Sequence, residues 1–248
     1  MTGSTKTPRE TPRERYRQQV REEVKEKAWQ QIAGSGASAL SLNAIAKQMG
    51  MSGPALYRYF ANRDELITEL IRDAYRSLAD AFLAVAGAGA AAGAGVGAGA
   101  GAGAGAGVGA GAGRTALTEL ARVLRRWALA DPHRYFLVYG TPVPGYHAPQ
   151  DITGIASEMM SVLLDACAAA APEPAPGADA RAFEEHLADH RDWAAGHPDA
   201  TPAALRLAMT FWSRLHGTLS LELAGHFTGM GLDPALLFEA EVDTLTAR

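Results

Sequence analysis

Residues 41–60 constrain the fold more than any other part of this 248-residue chain. Ser41 is a good helix N-cap before a short periodic apolar run, and the run stops at Gly50, which adopts the left-handed conformation of a helix end at no steric cost. Ser52 then occupies a second N-cap position, and Pro54 follows in the first turn, where a missing N–H is tolerated. The stretch predicts two short helices joined by a turn of three or four residues, a helix-turn-helix unit.

Two apolar positions fix how these helices would cross. Ala46 must be small because the second helix passes over it, and Leu56 fills the space between the two helices. The outward face of the second helix then combines small residues with two tyrosines and an arginine and has no acidic residue: Gly53, Pro54, Tyr57 and Arg58, with Tyr59 at the flank. Such a face suits the major groove of DNA, because small residues allow close approach and the polar side chains donate to bases and phosphates.

The run from Ala46 to Leu66 resembles the DNA-binding domain of the tetracycline-repressor (TetR) family of transcriptional regulators. It reads Ala-x-x-x-Gly-x-Ser-x-x-x-Leu-Tyr-x-Tyr-Phe-x-Asn-Arg-Asp-Glu-Leu, and the resemblance extends over about residues 13–75. On this basis one set of residues is expected to contact phosphates: Ser41, Ser52, Tyr57, Tyr59 and Arg63. A second set is expected to approach base edges: Gly53, Pro54 and Arg58.

Charge is divided unevenly along the chain. The net charge of −4 alone argues against a nucleic-acid partner, but residues 1–63 carry 11 Lys and Arg against 5 Asp and Glu, whereas residues 64–248 carry 12 against 22. The N-terminal part is therefore basic and the rest of the chain acidic, a distribution that directs the N-terminal part onto DNA phosphates. One such end buries too little surface for selectivity, so we expect a homodimer on a near-palindromic operator of double-stranded DNA, with half-sites about 34–36 Å apart or a multiple of one helical turn.

Helical periodicity continues along most of the chain and predicts an all-α protein of two domains. A disordered N-terminal arm is expected over residues 1–12, the DNA-binding domain over 13–63 and a linking helix over 64–85. Residues 114–248 are expected to form a ligand-binding and dimerisation domain. Its predicted helices cover about 114–130, 134–139, 151–171, 179–196, 201–228 and 233–246.

Residues 86–113 alternate almost strictly between glycine and alanine. Each glycine costs about 1 kcal/mol relative to alanine in a helix, so the pattern predicts a flexible linker without a stable helix. The alternative is a silk-like sheet stacked between chains.

Aromatic and apolar residues of the C-terminal part predict a small-molecule pocket, lined by Trp127, Tyr139, Tyr146, Met159 and Phe211. The helix predicted over 201–228 carries a wide apolar face, from which a dimer interface is expected at Trp212, His216, Leu219 and Leu223. The spacing Trp212-x-x-x-His216-Gly217, together with the sequence from Tyr139 to Tyr146, resembles one ligand-binding subclass of the same family. The apolar and aromatic lining of the predicted pocket indicates an apolar or aromatic effector, and His216 is expected to be a core or interface residue.

Other kinds of site find little support. No phosphate loop, nucleophile elbow or paired carboxylates emerge, so neither catalysis nor a cofactor is expected. His186 and His190 are one turn apart but lack a third ligand, which argues against a metal site. Cys167 stands in an apolar run and is predicted to be a buried, inert thiol. The polar N-terminus and the lack of an apolar stretch of membrane-spanning length predict a cytoplasmic protein with no membrane partner.

These observations predict a ligand-responsive transcriptional repressor that an effector releases from its operator. Two alternatives stay open. The first is a constitutive or architectural DNA-binding module without an effector. The second is a small-molecule-modifying enzyme, which would need titratable groups such as His147 and His216 to converge on the pocket.

Overall fold

A computed structural model describes residues 11–94, 105–140, 146 and 149–247. Every regular element within these ranges is a helix, so the all-α prediction is confirmed. The arm predicted over residues 1–12 lies almost wholly outside the described residues, as does His147. The α-helices are α1 (Pro12–Ser35), α2 (Leu42–Gln48), α3 (Gly53–Leu56), α4 (Arg63–Ala94), α5 (Gly105–Ala130), α6 (Pro132–Tyr139), α7 (Gln150–Ala170), α8 (Ala178–Asp189), α9 (Pro202–Leu223) and α10 (Pro234–Thr246). Short 3-10 helices span Ala37–Ala39 and Asp192–Ala194.

Four of these helices begin with the same local signal, a threonine or aspartate followed by proline at the first helical position. The N-cap side chains are Thr11, Asp131, Thr201 and Asp233, and each accepts a hydrogen bond from a backbone N–H of the first turn. This bond satisfies a donor that has no partner inside the helix, and proline lacks the donor altogether. The starts of α1, α6, α9 and α10 are therefore encoded by adjacent residues.

The chain divides into two compact units: Met1–Ile71 with Thr141–Ala148, called the head here, and Arg72–Gly140 with Pro149–Arg248, called the body. The head contains α1, α2, α3 and the first residues of α4. Its core consists of apolar side chains from each of these helices, among them Val24, Ala28, Ile45, Leu56, Phe60, Leu66 and Ile67. Tyr16, which has the same spacing along α1, is 63% exposed and does not join this core.

The body is a bundle in which α5 packs along α7, and α9 packs against α7, α8 and α10. Ile152–Ala170 within α7 is long and apolar enough to cross a membrane by length and composition, so the prediction that the chain has no such stretch is wrong. Met159, Leu163 and Cys167 of this helix belong to the core of the body, however. Burial among other helices thus accounts for part of the apolar character of α7.

The glycine–alanine tract is more helical than predicted. Residues 86–94 continue α4 and residues 105–113 open α5, whereas residues 95–104 lie outside the description. Adding residues to an existing helix needs no new nucleus, and every second residue is alanine, the best helix former. The prediction of a linker without stable helix is therefore wrong for both ends of the tract.

Gly113, the last glycine of the tract, is buried where α5 meets α7. A Cβ atom at this position would lie 2.2 Å from the backbone N of Ala170, an overlap that only a backbone shift relieves. At Gly111, two residues earlier, a Cβ would meet nothing within 4 Å. The absence of a side chain at Gly113 therefore permits the close approach of α5 and α7.

Alanine substitutions should separate these two glycines. Gly113→Ala is expected to lower the free energy of unfolding by about 1–3 kcal/mol because it overpacks the contact between α5 and α7. Gly111→Ala is expected to raise it by about 0.5–1 kcal/mol, since alanine is the better helix former and has open space here. Urea unfolding followed by circular dichroism measures both, and equal effects of the two substitutions would contradict this packing.

Two helices of the body end earlier than predicted. The helix predicted over 179–196 stops at Asp189, and a separate 3-10 turn follows at Asp192–Ala194. The helix predicted over 201–228 stops at Leu223, because Gly225 at φ +77° leaves the right-handed region soon afterwards. Left-handed glycines of this kind end helices without steric cost.

Candidate nucleic-acid interface and aromatic cluster

The turn between α2 and α3 forms largely as the sequence predicts. The Ser41 hydroxyl accepts a hydrogen bond from the Ala44 N–H at 3.3 Å, and Gly50 has a left-handed φ of +66°. Ser52 occupies the N-cap of α3, although its side chain makes no capping hydrogen bond. Regular α3 comprises only Gly53–Leu56, and hydrogen-bonded turns continue through Phe60.

Adjacent residues of this turn face opposite environments. Leu56 and Phe60 are fully buried in the head, whereas Tyr57 is 46% exposed and Arg58 is exposed beside it. Among the described residues, the Arg58 guanidinium has no hydrogen-bond or ion-pair partner. Both side chains named as the centre of the predicted DNA-contacting face are thus available to a partner molecule.

Gly53 and Pro54 lie at the start of the same surface, next to α2. A Cβ at Gly53 would lie 3.3 Å from the side-chain oxygen of Asn43, so this position is tight for any larger residue. Asn43 and Lys47 are themselves exposed on α2. These two polar residues were not predicted as DNA contacts, although their place on the short helix beside the turn could have indicated them.

Two arginines of α1 hold the backbone of the turn in place. Arg17 donates to the carbonyl oxygen of Arg58 at 3.4 Å, and Arg21 donates to that of Tyr59. The Arg21 Cζ atom also lies 4.2 Å from the centre of the Phe60 ring, a cation–π contact. Sequence reasoning missed both roles, because nothing local to α1 indicates which distant carbonyl an exposed arginine will meet.

Arg63, predicted to contact a phosphate, already has a partner within the head. Its guanidinium donates to the carbonyl oxygen of Ala37 at 2.7 Å and lies 3.7 Å from the Asp64 carboxylate. Two side-chain hydrogen bonds mark the start of the helix that it opens: the N-cap Asn62 accepts from the Glu65 N–H at 2.8 Å, and Glu65 accepts from the Ala61 N–H, one residue before the N-cap, at 2.6 Å. The Asn62 cap satisfies a donor of the first turn and fixes the start of α4 as the sequence predicts.

Within the body, aromatic rings gather around Tyr139 at the end of α6. The ring centre of Tyr139 lies 4.3 Å from that of His216 and 5.4 Å from that of Tyr135. Three further rings lie within 6.4 Å of it: Trp212 at 5.8 Å, Tyr75 at 5.9 Å and Trp127 at 6.4 Å. These six residues are called the aromatic cluster below.

The polar atoms of the aromatic cluster are unequally satisfied. The Tyr135 hydroxyl lies 3.0 Å from His216 Nδ1, 3.1 Å from the His216 carbonyl oxygen and 2.9 Å from the Ser220 hydroxyl. Trp127 Nε1 donates to the Ser77 hydroxyl at 2.8 Å. The Tyr139 hydroxyl and His216 Nε2 are buried as well, yet neither has a hydrogen-bond partner in the part of the chain that the structure describes.

Burial determines the charge of these groups. It lowers the pKa of His216 to about 4, so its imidazole is neutral at physiological pH. Burial also raises the pKa of Tyr139 well above its ordinary value, with smaller contributions from Tyr75 and Tyr135, so its hydroxyl keeps its proton. The aromatic cluster therefore presents uncharged polar groups.

The predicted pocket residues do not all meet in one place. Trp127 and Tyr139 belong to the aromatic cluster, and Met159 and Phe211 are buried in the core of the body. Tyr146 belongs to the head, where Thr68 donates to its hydroxyl at 3.2 Å. A cleft of about 520 Å³ also exists in the body, but it is lined by other residues, including Arg114, Arg206 and Arg214.

The predicted dimer residues are buried to different degrees. Leu219 is fully buried within its own chain and has no surface to offer a second subunit, and His216 bonds with Tyr135. Trp212 and Leu223 pack partly against the core of the body. The Leu219 side chain is therefore buried in its own protomer, and the prediction of it as an interface residue is wrong. An interface at Trp212, His216 and Leu223, which are only partly buried, stays a prediction.

Two further sets of residues are expected to carry no chemistry, the histidine pair at the end of α8 and the single cysteine. His186 and His190 stack with ring centres 4.2 Å apart and are both exposed, and no set of three potential metal ligands occurs among the described residues. Cys167 is fully buried, and burial raises the pKa of its thiol to about 12. A thiol with that pKa has almost no reactive thiolate at neutral pH, as the sequence predicts.

Comparison with known proteins identifies the same two parts of the chain. The family model "Bacterial regulatory proteins, tetR family" matches residues 26–70, and "Tetracyclin repressor-like, C-terminal domain" matches residues 117–245. The HTH-type transcriptional regulator Rv1816 of Mycobacterium tuberculosis is 32% identical over 228 residues, which cover 88% of this chain and 87% of that protein. The family and the relative that this chain matches are transcriptional regulators, a class without enzymatic activity.

Two solved structures have a similar fold. The crystal structure of regulatory protein SCO4313 is 59% identical in sequence and superposes with a TM-score of 0.76, covering 95% of this chain and 98% of that one. A protein of unknown function from Rhodococcus sp. RHA1 superposes with a TM-score of 0.61 over 92% of this chain and 93% of that one. At 20% identity, this second likeness concerns the fold alone.

Proposed function

The chain belongs to the TetR family of DNA-binding transcriptional regulators, and we propose that it is a homodimeric, cytoplasmic repressor that a small apolar or aromatic effector releases from its operator. The observation that carries the DNA-binding part is the exposed turn at Tyr57 and Arg58, whose backbone is held by Arg17 and Arg21. A fixed backbone with free side chains suits recognition, because little order has to be gained on binding.

Within this surface we assign two roles. Ser41, Ser52, Tyr57, Tyr59 and Arg63 bind phosphates and set the orientation of the head on the duplex. Gly53 and Pro54 allow the chain to approach base edges closely, and Arg58 reads a base, because its five N–H donors can pair with guanine in a bidentate manner. The unpaired guanidinium of Arg58 supports this assignment.

Substitution of Arg63 tests its proposed phosphate contact. Arg63→Ala is expected to weaken binding to all duplex sequences alike and to reduce the slope of log affinity against log salt concentration by about 1. Because Arg63 also bonds to Ala37, Arg63→Lys serves as the control: it keeps the charge and should keep the salt slope even if binding weakens. A salt slope that is unchanged in Arg63→Ala would contradict the assignment.

A second copy of the chain is proposed to pack on α9 and α10. Leu221 is 45% exposed and Leu236 is 69% exposed, although both are large apolar residues. Ser213 and Gly217 are exposed at four-residue intervals before Leu221, so the three share one face of α9. Small residues permit close helix approach, and the leucines provide apolar area to bury.

The proposed response to an effector is a shift between two conformations. An effector that binds more tightly to the DNA-free form lowers operator affinity by its difference in affinity for the two forms, about 1–3 kcal/mol in typical cases. Helix α4 runs without interruption across the boundary between head and body at residues 71 and 72. That continuity supports α4 as the element whose tilt is coupled to effector binding.

Selection of bound sites from random duplexes tests the proposed function. The expected product is a near-palindrome that binds two chains, with half-sites separated by one helical turn or a multiple of it. Sedimentation of the complex gives the number of chains, and a compound screen on the selected duplex then seeks an effector that releases it. Selected sites without twofold symmetry, bound by a single chain, would contradict the proposed dimeric repressor.

A further inference from the structure

Tyr135 and Tyr139 lie one helical turn apart on α6 and both belong to the aromatic cluster, but their hydroxyl groups differ. The Tyr135 hydroxyl has three polar atoms within 3.1 Å. The Tyr139 hydroxyl is buried without any partner among the described residues. A buried polar group without a partner is costly, so its presence calls for a reason other than stability.

A second unpaired group belongs to the same cluster. His216 Nε2 is buried without a partner in the described part of the chain, and the His216 and Tyr139 rings are in contact, with centres 4.3 Å apart. The other ring nitrogen, Nδ1, is held by Tyr135, which fixes the orientation of the imidazole. The body thus contains two adjacent polar groups, one of them oriented by a neighbour, that its own described residues leave unsatisfied.

We propose that the Tyr139 hydroxyl and His216 Nε2 are the polar contacts of the effector site, and that they select an uncharged aromatic molecule carrying a hydroxyl or similar oxygen. This inference rests on the proposed effector response and assigns His216 to the ligand. The hydroxyl of such a ligand can both donate and accept, so it can pair with either tautomer of His216 while accepting from Tyr139.

The residues around Tyr139 and His216 account for the preference for an aromatic ring and for the preference for an uncharged molecule. Rings that surround Tyr139 at 4.3–6.4 Å favour another ring in offset or edge-to-face contact. A charged ligand would find no opposite charge on Tyr139 or His216, because both are neutral. The nearby guanidinium of Arg134 is already engaged by Trp127: its Cζ lies 4.5 Å from the centre of the Trp127 ring, and it donates to the Trp127 carbonyl oxygen.

One edge of the aromatic cluster reaches the surface of the body. Tyr139, Trp212 and His216 each keep part of their surface exposed, even though the two unpaired atoms are buried. Side-chain rotation at this partly exposed edge could admit a planar molecule, since rotamer changes are fast compared with ligand exchange.

Two phenylalanine substitutions test the unpaired state of Tyr139 without any ligand. Tyr135→Phe is expected to lower the Tm, because its hydroxyl bonds with His216 and Ser220. Tyr139→Phe removes an unpaired group and keeps the ring, so the Tm should stay unchanged or rise. A fall in Tm for Tyr139→Phe as large as that for Tyr135→Phe would overturn the proposal, because the hydroxyl would then have a structural partner.

Matched compounds test the ligand class. In equilibrium dialysis without DNA, phenol and 2-naphthol are compared with toluene and 2-methylnaphthalene, and 2-naphthoate supplies the charged analogue. At least one hydroxylated compound is expected to bind about tenfold more tightly than its hydrocarbon partner, and naphthoate more weakly still. Tyr139→Phe and His216→Phe should each reduce that preference. Three results would overturn the proposal: equal binding of the hydroxylated compounds and their hydrocarbon partners, tighter binding of 2-naphthoate, or no binding of phenol or 2-naphthol.

Addition of operator DNA separates this inference from the proposed function. If 2-naphthol binds with the expected preference but leaves operator affinity unchanged, the site stands and the proposed effector response is contradicted. If another compound releases the operator while Tyr139→Phe and His216→Phe leave its affinity unchanged, the effector response stands and this site is overturned.

Discussion

Replacing Tyr57 and Arg58 together by alanine is expected to lower the affinity for the selected operator by about 2–5 kcal/mol, or roughly 30- to 5000-fold. In the proposed roles, Arg58 contacts a base and Tyr57 makes a charge-assisted hydrogen bond to a phosphate, and neither side chain is buried in the head. The free energy of unfolding should therefore change by no more than about 0.5 kcal/mol. Fluorescence anisotropy with a labelled duplex and urea unfolding measure the two quantities.

A matched pair on the body provides the control for this variant. Phe183 is an exposed aromatic residue and Arg126 an exposed arginine, so Phe183→Ala combined with Arg126→Ala removes the same kinds of group away from the turn. This control should leave operator affinity within about twofold, apart from a small long-range charge effect. Equal losses of affinity in the two double variants would show that the turn at Tyr57 has no special role.

Truncating Leu56, the neighbour of Tyr57, is expected to have the opposite pattern of effects. Leu56 is fully buried between α2 and the rest of the head, so Leu56→Ala leaves a cavity that costs about 2–5 kcal/mol. Backbone amides of Leu42–Gln48 should then exchange with solvent roughly 30- to 5000-fold faster, and operator binding should weaken because the turn loses its support. Amides of α9 should keep their protection.

Tyr57→Ala is the natural control for Leu56→Ala because it truncates the next residue of the same turn. It should leave amide exchange in α2 unchanged while weakening DNA binding. Normal protection of α2 in Leu56→Ala would contradict the packing of the head, and faster exchange in Tyr57→Ala would contradict the exposure of that ring.

Features set by adjacent residues could be predicted from the sequence. The turn at Gly50, the start of α4 at Asn62 and the start of α9 at Thr201 each follow from a cap or a left-handed glycine close by. The exposure of Tyr57 beside the buried Leu56 follows in the same way from helical spacing. Such signals act over one turn and need no knowledge of the rest of the fold.

Features set by distant partners could not be predicted. Arg63 is bonded to a carbonyl 26 residues away and Arg21 to one 38 residues away, and neither pairing leaves a trace in local spacing. The apolar face of α9 was equally consistent with a core and with an interface, and only the packing of Leu219 decides between them. The helical ends of the glycine–alanine tract likewise depend on the helices α4 and α5 that they extend, since the propensity of glycine alone opposes a new helix.

Photo-crosslinking from position 57 tests the central claim most directly. A photoreactive phenylalanine analogue replaces Tyr57 in one variant and the exposed Leu129 of the body in another, and each is irradiated with the selected duplex. Adducts between position 57 and DNA in both halves of the operator, with none from position 129, are the predicted result. DNA adducts from position 129 but not from position 57 would contradict the claim that the turn after α3 lies on the duplex.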